Sequence, residues 1–278
     1  MEFILDIFKP DAASPNHVAM FAKLFCAALL AQMLVSFGEQ LRYFKTQPAR
    51  IYGKPLLLLG KFRLPSLNVS QFAIIGVVLV LSLVFSLFGF YPRFFIFVAL
   101  VCYFPYFNSI LSLSYVQRKT NLLPFVMLVL VLSPALDAPL DEPATLWELV
   151  LIKIAVAQIY FSAGVQKLRK SGIRWLNGKS LQAYLLEHYL WNDRKIALVV
   201  ASRISICSAL SIFTLIFELT FWTVIFLPQM TFYFVAAALL FHCGTLFTMR
   251  INYLKYLSPV LMVFFTDAAF WLKKMCGL

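Results

Sequence analysis

Apolar residues gather along this chain in long runs divided by short polar links, rather than alternating as in a half-buried strand. Runs of about 20 apolar residues suffice to cross the hydrocarbon layer of a membrane as a helix. Hydropathy predicts spans over His17–Phe37, Phe72–Phe90, Arg93–Leu113, Leu122–Leu136 and Leu146–Val165. Three more are expected within Val199–Leu227, Met230–Met249 and Leu254–Leu272. The fourth run is short enough to be tilted or half-buried, and Asp267 marks the eighth as partly interfacial. Gly89, Pro92, Pro134, Pro139, Pro143 and Pro228 punctuate the runs, as helix breakers do. The basic loop between the first two runs holds an apolar patch, Leu56–Leu59, too brief to cross; an interfacial helix or re-entrant turn is expected there. The pattern predicts an all-α, polytopic transmembrane helical bundle of seven or eight spans. Residues 1–278 form one membrane domain in this reading, with no soluble domain.

Composition agrees: 62% of residues are hydrophobic and 13% charged, against about 25% charged in a soluble domain. The net charge of +12 does not point to nucleic acid, because the basic residues fall between apolar runs and no nucleic-acid motif occurs. They read as topology determinants and contacts to anionic lipid. Basic links around Arg42–Arg63, Arg118-Lys119, Lys167–Arg203 and Arg250–Lys255 share one side, and the acidic link Asp137–Glu142 takes the other. The count places Lys167 at the cytoplasmic face and the N-terminus outside. The N-terminal segment lacks a basic n-region and a cleavage site, so the first span is expected to direct insertion itself. Asn68-Val69-Ser70 matches a glycosylation triplet and carries little weight in a basic loop. Five scattered cysteines without a CxxC pair read as small core hydrophobes rather than a redox motif, zinc site or disulfide framework.

Candidate chemistry concentrates between Leu151 and Leu190. An apolar run carrying Lys153 and Gln158 ends at Lys167, turns through Gly172 to Gly178, and restarts as an aromatic, basic segment. Lys153, Tyr160 and Lys167 are spaced by seven and share one helical face. Gly164 admits either a neighbouring helix or a flat ligand. Glu218 and His242 sit deep in two other runs, and ionisable groups inside a membrane are costly enough to be functional candidates. Plainer readings stand beside these: Lys167 snorkelling to headgroups, Trp175 as an interfacial anchor, Tyr160 and Phe161 as packing, His242 as a helix–helix hydrogen bond. Phosphate loops, HExxH, GxSxG and histidine pairs at ligand spacing do not occur, so no metal is expected.

The stretch YFSAGVQKL, followed by a Trp and then a Gly, resembles the HTTM (horizontally transferred transmembrane) domain, the membrane part of vitamin K-dependent γ-carboxylases. Tyr160, Ala163, Gly164, Lys167, Leu168, Trp175 and Gly178 match that pattern. TNLLPFVMLVLVLSPALDA and LLFHCGTLFTMRI, which carries His242, agree with it more loosely. The resemblance implies that Lys167 is a base, and the buried ionisable groups Glu218 and His242 are read as supporting it. It implies that Tyr160, Gly164, Trp175 and Gly178 border a quinone (vitamin K-like) or other lipid. Desolvation favours the neutral amine, the form of lysine that can take a proton. The domain also occurs in short bacterial proteins similar to the sporulation-delaying-protein B family. This implies a bacterial cytoplasmic membrane location and the modification or maturation of a small peptide substrate. A non-catalytic export, chaperone or immunity partner for such a peptide, working with other membrane proteins, is the alternative. A transporter fits less well, since no repeated halves are visible. Carboxylases work on the exported side of the membrane, opposite to the side that the charge count assigns to Lys167.

Overall fold

In hydrocarbon every backbone N–H and C=O must be satisfied internally, which leaves an apolar run of this kind the helix as its outcome. The computed structural model describes residues 17–46, 67–113, 122–138 and 147–264, and among these it is helical with no strand. The described helices are α1 (His17–Thr46), α2 (Val69–Leu87), α3 (Pro92–Leu113), α4 (Leu122–Leu132), α5 (Trp147–Ser171) and α6 (Lys179–Asn192). They continue as α7 (Lys195–Ala201), α8 (Ile204–Thr220), α9 (Thr223–Phe226), α10 (Thr231–Met249) and α11 (Leu254–Leu261). The patch Leu56–Leu59 lies outside the described residues, as does the chain beyond Phe264.

The number of spans differs from the expected seven or eight. Among the described residues four helices are long and apolar enough to cross a membrane, or five if one bent pair counts as a single span. Physical reasons account for two of the four spans not counted. Helix α4 has 11 residues, a rise of roughly 16 Å, about half the hydrocarbon thickness. The run over Val199–Leu227 is broken: Ser202 and Arg203 interrupt it, and α7 meets α8 at 94°. The apolar part of α3 covers only Pro92–Phe107, and the eighth expected span is described no further than Phe264.

The chain divides into two compact units, residues 1–152 with 258–263, and residues 153–257 with 264–278. In the first, α1 packs on α2, α2 on α3 and α3 on α4. Asn68 caps α2 through a reciprocal pair with Gln71, a local reason for that asparagine. Stacked rings of Phe72 and Tyr106, 4.6 Å apart, join α2 to α3. Arg93 at the start of α3 grips the end of α4, donating to the Ser133 carbonyl and pairing with Asp137 at 3.0 Å. The Ser133 hydroxyl donates to Glu148, whose side chain is fully buried.

The second unit contains the rest of α5 and a 3-10 turn, Gly172–Asn177, that leads into α6. The turn ends at Gly178, with φ +76°, a left-handed conformation that side chains other than glycine strain to adopt. Helices α6 and α7 form a hairpin through Asp193 and pack on the start of α8 and the end of α10, burying Leu185, Ala197, Ala201 and Cys207 against Met249.

Candidate functional site

Side chains on an α-helix lean toward its N-terminus. Lys167 stands near the C-terminal end of α5, so this lean carries its side chain back along the helix rather than out past Ser171. There the ammonium donates to both carboxylate oxygens of Glu218 on α8. The lysine side chain is 22% exposed and the glutamate side chain 4%. An unpaired carboxylate so deeply buried would cost several kcal/mol, and Lys167 removes that cost.

The pair forms because α5 and α8 come close at Gly164. A Cβ built there would lie 3.0 Å from Leu219 Cδ2 and 3.2 Å from Glu218 Cβ. Of the two roles open to Gly164, the geometry gives helix approach: protein from α8 occupies the space above it. Gly178 acts the same way at the next crossing, where a Cβ would stand 2.8 Å from the Cα of Ser208. The Ser208 hydroxyl donates to the Leu176 carbonyl at 2.6 Å and pins the 3-10 turn to α8.

This pinned turn places Trp175 over the pair. The Lys167 ammonium lies 5.6 Å from the indole centroid, within cation–π range. Trp175 is 8% exposed, and its indole N–H has no hydrogen-bond partner among the described residues. Buried indole N–H groups ordinarily find an acceptor, and this one lacks it among the described residues.

Tyr160 and His242 form a second contact. The Tyr160 hydroxyl lies 2.8 Å from His242 Nε2, and the histidine tautomer decides which of them donates. The Tyr160 ring stacks on Phe221 at 4.3 Å and meets Phe217 edge-on at 5.2 Å, so it packs and hydrogen-bonds at once. Tyr253, just past α10, faces the His242 ring at 5.6 Å. Burial, and then the Glu218 charge, hold its phenol above the ordinary tyrosine range.

The seven residues singled out in the sequence therefore fall into two groups, Lys167–Glu218–Trp175 with Gly164 and Gly178, and Tyr160–His242. Seven residues of α5 separate the groups, about 10 Å along the axis. Gln158 is exposed and joins neither group. Sequence reasoning missed Ser208, Leu219 and Tyr253. A serine one residue past Cys207 and a leucine in an apolar run carry no signal until their neighbours are known. It also missed Glu148, which stands beside an acidic link and reads as loop acidity.

All seven residues lie within residues 135–271, the range over which the family model of the HTTM domain matches this chain. No curated protein and no solved structure matches it.

Proposed function

We propose that this chain, which belongs to the HTTM domain family through residues 135–271, handles a proton in the modification or maturation of a small peptide at the bacterial cytoplasmic membrane. The observation that supports this most is the Lys167–Glu218 pair, an amine and a carboxylate held together where α5 crosses α8. Lys167 is the base in this reading: the neutral amine takes the proton, and the ammonium paired with the Glu218 carboxylate is the form after that uptake. The adjacent carboxylate supplies charge balance at the moment the charge develops, the form of stabilisation that acts most strongly in a dry site. Trp175 covers the ammonium and limits access of water. Tyr160 and His242 form a second pair able to exchange a proton.

A quinone (vitamin K-like) or another lipid suits the donors present, since the buried indole N–H of Trp175 and the lysine amine are both matched to an oxygen-bearing apolar ligand. Such a group, when bound, would supply redox or lipophilic chemistry that side chains lack. The test is mass spectrometry of peptides from host cells carrying wild type or Lys167→Ala. A mass-shifted peptide made only with the wild-type chain is expected. The same shifted peptide in both cells would overturn the reading.

One observation favours the non-catalytic alternative: Lys167 and Glu218 satisfy each other, so the pair is complete as a helix–helix link. A double Lys167→Met, Glu218→Leu chain that still supports peptide maturation would establish that reading in place of the first.

A further inference from the structure

The α6–α7 hairpin takes no part in the chemistry above, and its orientation is informative. Helix α8 is apolar but, at 17 residues, reaches the length of a span only together with α7, which leaves it at 94°. Where α8 stands across the membrane, a helix at a right angle to it runs along the membrane plane. One side of the hairpin is accounted for, since Leu185, Ala197 and Ala201 are buried with Cys207.

The other side is bare. Ile173, Leu190 and Trp191 are each 80% exposed, and Ile196 and Val199 are exposed beside them. Basic residues lie close to these apolar tips in the sequence. Between Arg169 and Arg203 the chain carries seven Lys and Arg residues against two acidic ones, Glu187 and Asp193. Arg174, Lys179 and Lys195 are exposed, and Arg194 partly so. Large exposed apolar side chains interspersed with exposed cations match the surface of a monotopic element. Tryptophan at such a position favours the headgroup level.

We propose that the 3-10 turn Gly172–Asn177 and the α6–α7 hairpin form a platform that lies in the headgroup layer and binds anionic phospholipid. The apolar tips enter the acyl boundary, and Arg174, Arg194 and Lys195 meet the phosphates. An acidic peptide could satisfy the cations but would leave Leu190 and Trp191 in water, so the lipid leaflet is the occupant that covers both.

The test uses the full chain purified in a mild detergent and titrated with phosphatidylglycerol or phosphatidylcholine, with bound lipid counted by native mass spectrometry. Preferential binding of phosphatidylglycerol is expected. The triple variant Arg174→Gln, Arg194→Gln, Lys195→Gln should bind it more weakly, by roughly fivefold per charge removed and on the order of a hundredfold together. Equal binding of the two lipids, or a triple variant that binds as wild type, would overturn the proposal. Fluorescence checks placement independently: the emission lost in Trp191→Phe should be quenched by lipids brominated in the acyl chain. Quenching of that emission only by aqueous iodide would refute a membrane-seated platform. So would displacement of phosphatidylglycerol by soluble polyglutamate with Trp191 left unquenched.

Discussion

Lys167 and Glu218 are not equivalent partners, and removing them one at a time should show it. The variant Lys167→Met leaves a carboxylate whose side chain is 4% exposed and has lost the ammonium it faced. Breaking a buried pair from one side costs about 3–5 kcal/mol, because the remaining charge has no route to water. The reverse variant, Glu218→Leu, leaves a lysine that is already 22% exposed on a flexible stem near the end of α5. That ammonium can swing outward, so the loss should be closer to a typical substitution, about 1–2 kcal/mol. The double variant Lys167→Met, Glu218→Leu removes both charges and should fall within about 1 kcal/mol of wild type, since apolar replacement of a buried pair is commonly neutral. Thermal unfolding in detergent, followed by intrinsic fluorescence at a fixed scan rate, measures all four proteins. At about 2–4 °C per kcal/mol, Lys167→Met should lower the midpoint by about 6–20 °C. Equal losses in the two single variants, or a double variant with the sum of both losses, would refute the buried and coupled pair.

Gly164→Val should cost about 1–3 kcal/mol by overpacking, since Leu219 and the Glu218 stem fill the space above the glycine; the unfolding midpoint reads this, and an unchanged midpoint would argue against a close α5–α8 crossing. Gly178→Ala should be destabilising by more than about 1 kcal/mol, because φ is +76° and the backbone of Ser208 lies in the way; the same measurement applies. Tyr160→Phe keeps the ring stacked on Phe221 and loses only the bond to His242, so a loss of about 0.6 kcal/mol is expected, against several for Tyr160→Ala.

Much of the site could be read from one helix. The seven-residue spacing of Tyr160 and Lys167 put them on one face, and the glycines after Lys167 marked a turn between two helical segments; α5, its 3-10 turn and α6 have that form. The partners could not be read. Glu218 lies 51 residues from Lys167 and His242 lies 82 from Tyr160, and hydropathy carries no information on which helices cross. Gly164 illustrates the limit: its small size announced a close approach without saying to what. The break at Ser202 and Arg203 escaped notice for a different reason. Exposed Ile204, Ile206, Leu210 and Phe213 keep the average apolar across a turn that two polar residues make. A hydropathy window measures greasiness and has no term for direction.

An ionised Glu218 held by Lys167 is the centre of the site, and isotope-edited infrared spectroscopy of the glutamate side chains reports that directly. A carboxylate band that vanishes in Glu218→Gln and turns into a protonated-acid carbonyl band in Lys167→Met is the predicted result. A Glu218 band that Lys167→Met leaves unchanged would contradict it.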